Sequence, residues 1–452
     1  MFEADSNQRH TPRMFQLPKF ATAPFCPSEV QGTIAVPPGL SSFQKLLRYL
    51  GPGLLISVGY MDPGNWATDI AAGSGFGTDL LFVVGLASLA GILLQTLCAR
   101  LGLVAQKDLA RLCRDHYPRP VAFTLWIFAE LAIIACDVAE VLGSALALNL
   151  LFGLPLWLGV VLTGFDTFIV LSLKGRGFRQ LEAIVLGLVS TIFLCFSIEI
   201  LMLQPAFADV ASGLVPKLRL VDDPEAFYLA IGIIGATVMP HNLYLHTAIV
   251  QTRVTRPDEQ SKRDAIRWAT VDIVVALLLA MLVNAAILIV AATAFHATGQ
   301  TQVTDIDEAY RLLAPITGTA LAAILFGVAL LVSGQSSTFT GTIAGQVILE
   351  GFLNLKIPCY QRRLITRGLA LGPALVGVLW LGEGSVGRLL VLSQVVLTVQ
   401  LPFALWPLIR FTSDRALMGV FANGTLMKSI AWAIFAVIAA ANAWLIWGLA
   451  TA

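Results

Sequence analysis

The residues with the clearest chemical potential lie inside an apolar run, Leu54 to Ala72, that is long enough to cross a membrane. The sequence Asp-Pro-Gly-Asn at 62–65 interrupts this run. Proline lacks a backbone donor and glycine is a poor helix former, so the pair predicts a helix that opens in mid-membrane. A carboxylate at that depth is costly and indicates a functional site, although Asp62 could instead simply cap the second half of a kinked helix.

A second apolar run, residues 230–246, is interrupted in the same way by Gly235 and Pro240. If the two breaks face one another, they offer two side-chain oxygens, one sulfur and two freed carbonyls, from Asp62, Asn65, Met239, Gly59 and Ala236. Such oxygens suit any hard divalent cation, whereas thioether sulfur favours softer first-row metals over Mg²⁺ and Ca²⁺. Ordinary apolar packing beside a proline is the alternative role for Met239.

Three carboxylates on the third apolar stretch, Glu130, Asp137 and Glu140, share a broad helix face and could form a proton or ion route. Structural pairing with the arginines at 253, 362, 363 and 367 is the alternative. His241 directly follows the second break and is a candidate proton group, because imidazole titrates near physiological pH. Other polar residues in apolar sequence could complete a metal site, form a gate or make interhelical hydrogen bonds: Thr237, His246, Asn284 and Gln394. A satisfied interior histidine is the favoured reading of His246, and Asp166 and Glu199 have no explanation.

Composition indicates an all-α polytopic membrane protein. The 452 residues are 57% hydrophobic and 13% charged, with a mean hydropathy of +0.80, whereas a soluble domain carries about 25% charged residues. Six cysteines without close pairing predict neither a disulfide framework nor a thiolate metal site. Eleven stretches approach the ~20 residues that span a bilayer: 51–75, 79–103, 121–150, 155–173, 181–203, 226–251, 268–295, 317–350, 364–381, 387–410 and 429–450.

Charge predicts the orientation of these spans. With the N-terminus inside, all but four of the 29 lysines and arginines fall on the cytoplasmic side, the exceptions being Lys217, Arg219, Arg311 and Arg388. The C-terminus then lies outside. Residues 1–44 lack a secretory signal pattern and are expected to form a disordered cytoplasmic tail, and 45–452 a single transmembrane domain.

The two breaks lie five spans apart, so a repeat of spans 1–5 (about 45–203) in spans 6–10 (about 226–411) must be inverted. Broken helices in corresponding positions of inverted repeats are typical of secondary transporters, which bind their substrate between the breaks at the bilayer midplane. Span 11, about 429–450, lies outside the repeat and receives no role.

The two interrupted motifs, Asp-Pro-Gly-Asn at 62–65 and Met-Pro-His-Asn-Leu-Tyr-Leu-His at 239–246, resemble the paired signature of the Nramp family of proton-coupled divalent metal transporters, in particular the bacterial manganese transporters. The resemblance runs from about residue 48 to the C-terminus and includes 137–140, 251–253 and 362–366. It implies a LeuT-like fold and, in the plasma membrane, proton-driven import of Mn²⁺, with Fe²⁺, Cd²⁺, Co²⁺ and Zn²⁺ as further substrates.

By motif position, the resemblance places the family's metal ligands on Asp62, Asn65, Met239 and the Ala236 carbonyl, with Gly59 offering a carbonyl and Gln394 entering in some states. Its proton-linked positions fall on Asp62, Asp137, Glu140, His241 and Arg253. Family members adapted to Mg²⁺ or Al³⁺ lack the methionine, so Met239 argues against those substrates. Asp166 matches no family motif.

Two other functions are compatible with parts of the sequence but are disfavoured by specific residues. A sodium-coupled amino-acid symporter shares the broken-helix plan but would not need an acid at the first break. A membrane metalloenzyme is disfavoured because the sequence has no H-E-x-x-H motif and no cluster of three imidazole or carboxylate ligands with a general base. We expect a monomer in the lipid bilayer that takes divalent metal ions and protons, has no permanently bound cofactor and does not bind nucleic acid.

Overall fold

The computed structural model describes residues 31–37, 39–165, 178–217, 222–354, 359–381 and 386–451. Within these ranges the chain is helical, and the one isolated bridge pairs Ile34 with Arg253. The predicted all-α fold is therefore confirmed. Asp166 and most of the predicted tail lie outside the described residues.

The first half of the chain begins with a short helix and a helix broken in two. These are α1 (Ser42–Tyr49), α2 (Pro52–Gly59) and α3 (Pro63–Phe76). The helices that follow are α4 (Leu81–Ala105), α5 (Leu109–His116), α6 (Arg119–Phe152), α7 (Leu156–Gly164), α8 (Phe178–Leu203) and α9 (Phe207–Gly213).

The second half begins with another broken helix. It consists of α10 (Pro224–Thr237) and α11 (Pro240–Ile249), and a 3-10 turn (Val250–Thr252) extends α11. The remaining helices are α12 (Glu259–Ala294), α13 (Ile306–Thr317), α14 (Ala320–Leu353), α15 (Cys359–Leu381), α16 (Val386–Ser413), α17 (Arg415–Met418) and α18 (Thr425–Thr451).

Among the described residues, eight helical stretches are individually long and apolar enough to cross a bilayer, with α10 and α11 taken together as one. The other three predicted spans fall short for identifiable reasons. The first span is divided between α2 and α3, only α7 is described of the fourth, and the ninth contains the shorter apolar stretch Leu364–Trp380. Breaks at spans 1 and 6 occur where the prolines predicted them.

The broken helices lie in the centre of the protein. Every residue of α2 is buried, as is every residue of α11. The indole of Trp66 on α3 packs edge-on between Phe196 of α8 and Phe326 of α14, with ring centroids 4.9 and 5.1 Å away. These aromatic contacts hold α3 against the intact helices α8 and α14.

Residues 31–37, which belong to the predicted tail, contact the chain that follows α11. The backbone N–H of Ile34 donates to the Thr252 carbonyl at 2.9 Å, and the N–H of Val254 donates to the Ile34 carbonyl at 2.9 Å. This pairing places the beginning of the described chain and the end of α11 at the same end of the protein.

Candidate metal site

The first break is organised by Asp62. This residue is the N-cap of α3, and its Oδ1 accepts the backbone N–H of Asn65 at 2.9 Å, while Pro63 occupies the first helical position. Its other oxygen, Oδ2, is buried and has no hydrogen-bond partner among the described residues. Asp62 therefore caps the half-helix with one oxygen and leaves the other for a ligand, so the two roles weighed from the sequence are compatible.

The second break is organised by Met239, the N-cap of α11, with Pro240 at the first helical position. Its side chain is fully buried and packs with Ala132 and Cys136 of α6 and Leu397 of α16. A thioether is a much weaker acceptor than a carboxylate, and Met239 makes no side-chain cap hydrogen bond. Apolar packing fixes the position of the sulfur, which is compatible with a role as a soft ligand.

Each proline removes one backbone hydrogen bond at a defined place. Pro63 lies four residues after Gly59, and Pro240 lies four residues after Ala236. In a continuous helix the N–H at these positions would bond to the carbonyl four residues earlier, but proline has no N–H to give. The carbonyls of Gly59 and Ala236, predicted as ligands, are thus the ones the two prolines deprive of a helical partner.

The other carbonyls around the first break have partners. Those of Ser57 and Val58 accept the N–H groups of the two residues after α2, at 3.0 Å each. The Tyr60 carbonyl accepts Nδ2 of Asn284 at 2.8 Å, and the Met61 carbonyl accepts the Trp66 indole N–H at 3.2 Å. Asn284 therefore satisfies an opened turn, the hydrogen-bonding role considered for it.

Gln394 of α16 lies at the first break, as predicted. A Cβ placed on Gly64 would come within 1.6 Å of Gln394 Nε2, so the glycine is needed for the amide to fit. Gln394 is fully buried, and its Oε1 has no partner among the described residues. Its amide therefore stands against the same half-helix as Asp62 and Asn65. Thr237, a candidate accessory residue, is buried at the last position of α10.

The α6 carboxylates form a buried group next to α14. A Cβ on Gly341 would come within 2.9 Å of both Asp137 Oδ1 and Glu140 Oε1, so this glycine makes room for the pair. Arg367 of α15, also buried, acts electrostatically on both carboxyl groups. Glu130 is only partly buried. The side chains of Arg362 and Arg363 lie outside what the structure describes.

Cys136 connects these carboxylates to the second break. Its Sγ lies 3.5 Å from Glu140 Oε1, to which the thiol donates, and 3.7 Å from His241 Nε2. The structure thereby brings His241 and Glu140 into contact with the same thiol. Cys136 is not among the site residues predicted from the sequence. The available signal was its position four residues before Glu140, which places both on one helix face.

Two predicted residues make contacts elsewhere. His246 Nδ1 lies 2.8 Å from Gln95 Oε1, and Gln95 Nε2 donates to the Tyr60 hydroxyl at 3.1 Å, so one ring nitrogen belongs to an interior hydrogen-bond chain, while Nε2 has no partner among the described residues. Arg253 forms a buried ion pair with Glu182 of α8 at 2.7 Å and donates to the Leu50 carbonyl at 2.8 Å. It therefore fastens the start of α2 to α8 instead of lining the two breaks.

The central residues have no direct contact with solvent in this structure, since Asp62, Asn65 and Met239 are each at most 1% exposed. A cavity of about 930 Å³ opens at the far end of α3 and is lined by Ala71 and Leu229. At 1.5 Å per helical residue, Ala71 lies about 14 Å along α3 from Asp62. The structure thus has an open cavity near one end of α3, and helical packing separates this cavity from the breaks.

The donor set limits the kind of ion that would bind. Among the described residues there is no group of three His, Cys, Asp or Glu side chains positioned as metal ligands. The two breaks offer instead one carboxylate with neutral amide, thioether and carbonyl donors. Because affinity for divalent cations rises with the number of charged ligands, one carboxylate favours reversible binding over permanent retention.

Comparison with known proteins agrees with this geometry. The chain matches the Nramp family profile, natural resistance-associated macrophage protein-like, over residues 53–448. It is 61% identical to the divalent metal cation transporter MntH of Ralstonia nicotianae over 435 residues, which cover 96% of this chain and 98% of that protein. The crystal structure of a mutant Eremococcus coleocola manganese transporter has a TM-score of 0.86 at 40% identity, covering 92% of this chain and 89% of that chain.

A more distant neighbour shows the fold alone. A nucleobase-cation-symport-1 family transporter is 18% identical, with a TM-score of 0.55 over 83% of this chain and 82% of that chain. The LeuT-like architecture with broken helices 1 and 6 is thereby confirmed, and so is the family that the two interrupted motifs indicated. The chain belongs to the Nramp family.

Proposed function

We propose that this chain carries divalent transition-metal ions, Mn²⁺ foremost and Fe²⁺ among the others, across the plasma membrane together with protons. Its family consists of transporters, not enzymes, and the relatives described above are named as a divalent metal cation transporter and a manganese transporter. One observation carries the proposal: two proline breaks meet in the buried centre, and each frees a carbonyl beside a potential metal ligand.

We assign the metal ligands to both sides of this centre. Asp62 contributes Oδ2, Asn65 its amide oxygen and Met239 its sulfur, with the carbonyls of Gly59 and Ala236 and, in some states, Gln394. The single carboxylate attracts any divalent cation, and the sulfur discriminates against Mg²⁺ and Ca²⁺, which prefer oxygen. The ion is the transported substrate, so no resident cofactor is required.

We assign the proton route to the groups between the breaks and α6. Asp62 and His241 lie at the breaks, and Cys136 joins His241 to Glu140, next to Asp137. Glu130 continues the series along α6, with Arg367 as the basic partner of Asp137 and Glu140 and Arg362 and Arg363 as further basic partners. Arg253, which pairs with Glu182, lies outside this group. With the N-terminus inside, the end of the protein that carries α1 is the cytoplasmic end, and metal and protons move towards it by alternating access, within one chain.

The amino-acid symporter alternative is not favoured by the first break. In that class, the free N–H groups of a half-helix N-terminus bind the carboxylate of the substrate. Here the N-terminus of α3 is already capped by Asp62 Oδ1, which accepts the Asn65 N–H at 2.9 Å. A second carboxylate there would meet the charge of the first, so the site favours a cation.

Uptake of radiolabelled Mn²⁺ into vesicles containing the full chain tests the proposal. Asp62→Ala removes the one charged ligand and is expected to abolish saturable uptake. Glu199→Gln is the control, because Glu199 is a buried carboxylate on α8 to which we assign no role. Saturable Mn²⁺ uptake by Asp62→Ala at the wild-type level would refute the site.

A further inference from the structure

The two breaks correspond position by position, and the asparagine of the second break has no assigned role. Residues 59–65 correspond to 236–242 at a constant offset, which pairs Gly59 with Ala236, Asp62 with Met239 and the two prolines with each other. The same offset pairs Asn65 with Asn242. Both asparagines occupy the third position of a half-helix, after an N-cap residue and a proline.

Asn242 is an amide without partners in the centre of the protein. It is fully buried, and neither Oδ1 nor Nδ2 has a hydrogen-bond partner among the described residues. Leaving a buried polar group unsatisfied costs about 1–3 kcal/mol, so a ligand that engages the amide would be favoured. If that ligand is a cation, it binds Oδ1, because Nδ2 is a hydrogen-bond donor and cannot coordinate a cation.

The position of Asn242 indicates which ligand that is. A Cβ on Gly59 would come within 2.3 Å of Asn242 Nδ2, so the amide lies directly on the residue whose carbonyl is freed by Pro63. The neighbouring opened carbonyl, that of Tyr60, is already bonded to Asn284 at 2.8 Å. Asn242 thus lies against the first break from the α11 side, and Asn284, not Asn242, bonds the opened carbonyl of Tyr60.

We propose that Asn242 is a further ligand of the transported ion, supplied by α11 as Asn65 is supplied by α3. This inference rests on the proposed function. Helix α3 leads from the centre towards the cavity lined by Ala71, whereas α11 leads to the end that carries α1, where Arg253 bonds the Leu50 carbonyl. Asn65 therefore serves the ion on the entry side, and Asn242 serves it on the side of release.

Binding of Mn²⁺ and of Ca²⁺ to the purified full chain, measured by titration calorimetry, tests this role. Asn242→Asp has nearly the same shape and adds a charged oxygen ligand, so it is expected to tighten binding of both ions about tenfold, and to slow Mn²⁺ release into vesicles. Asn242→Ala is expected to weaken Mn²⁺ binding about tenfold, as is typical when a metal site loses a supporting group.

The control is Asn149→Asp, which changes an amide on α6 that donates to the Leu154 carbonyl at 2.7 Å, away from the breaks. It is expected to bind both ions as the wild type does. Wild-type affinity for Mn²⁺ and Ca²⁺ in Asn242→Asp would overturn the inference, even if the alanine variant does not fold. If Asp62→Ala loses Mn²⁺ binding while Asn242→Asp is unchanged, only this inference fails; wild-type binding by Asp62→Ala would refute the proposed site itself.

Discussion

The two broken helices share a backbone plan but differ in the side chain at the cap. Each has a proline at the first position of the second half-helix, a freed carbonyl four residues before that proline and an asparagine two residues after it. The cap residue, however, is Asp62 in one and Met239 in the other. The two breaks thus share the geometry that frees backbone carbonyls. The negative charge, however, comes from Asp62 in the first half of the chain, and the soft sulfur comes from Met239 in the second.

This difference extends to the surroundings of each cap. Asp62 bonds its own helix through Oδ1, so its orientation is set locally. Met239 makes no such bond, and its position depends on packing against Ala132, Cys136 and Leu397. One proposed ligand is therefore held by its own half-helix and the other by neighbouring helices, which predicts that the two cannot be exchanged.

Exchanging the caps is the strongest test and has the largest expected effect. In the double variant Asp62→Met with Met239→Asp, α3 loses its cap, and a carboxylate enters the apolar pocket formed by Ala132 and Leu397. An uncompensated buried charge costs about 3–5 kcal/mol, which lowers the equilibrium population of correctly folded protein relative to misfolded forms by roughly 100-fold or more. We expect Mn²⁺ uptake into vesicles to fall to background; substantial uptake would show that the caps are interchangeable.

Restoring the missing backbone donors tests the part that the two breaks share. Pro63→Ala supplies an N–H to the Gly59 carbonyl, and Pro240→Ala does the same for Ala236, which allows each helix to close. Because each variant withdraws one predicted ligand, we expect Mn²⁺ binding to weaken about tenfold in both, as measured by calorimetry.

Pro373→Ala is the control for this pair, because Pro373 lies inside α15, away from the breaks. It is expected to bind Mn²⁺ as the wild type does. If only one of the two break variants loses affinity, the backbone contributions of the two halves are not equivalent, and the assignment of the other carbonyl as a ligand is wrong.

The sequence was most informative where the structural cause is local. A proline inside an apolar run must open the helix wherever the chain folds, so both breaks, and with them Asp62 and Met239, could be predicted. The positions of Cys136 and Gly341 could not, because their importance depends on which helices pack together. Cys136 matters because α11 brings His241 to it, and Gly341 because α14 meets the α6 carboxylates.

Asn242 illustrates a third case. The correspondence between 62–65 and 239–242 pairs Asn242 with Asn65 and so makes it a candidate ligand, yet the sequence does not show whether the amide has another partner. The structure supplies that information, because the side chain is buried without one. Local motifs therefore indicate the candidates, and packing decides which of them remain open to a ligand.

Removing only the sulfur tests how the two halves divide the chemistry, with a smaller expected effect on transport. Met239→Ala keeps all oxygen donors, so Mn²⁺ uptake is expected to fall by no more than a few-fold, while competition by Ca²⁺ or Mg²⁺ becomes about tenfold more effective. Leu397→Ala, which alters the same pocket without removing a donor, is the control. Unchanged competition by Ca²⁺ in Met239→Ala would contradict selection by the thioether.

The smallest effect at a fixed pH, and the most specific, is expected from Glu140→Gln. This variant keeps the shape of the side chain against Gly341 and its contact with Cys136 but cannot take up or release a proton. Mn²⁺ uptake is expected to change by only about two- to threefold. The glutamine oxygen can still accept the hydrogen bond of the Cys136 thiol, and only the charge of the acceptor is lost. The increase in uptake as the outside becomes more acidic should flatten, because fewer protons accompany each ion.

Glu199→Gln removes an equally buried carboxylate on α8 and should keep the wild-type pH profile. An unaltered profile in Glu140→Gln would leave this carboxylate a packing partner of α14 and would shift the proton route to Asp62 and His241 at the breaks.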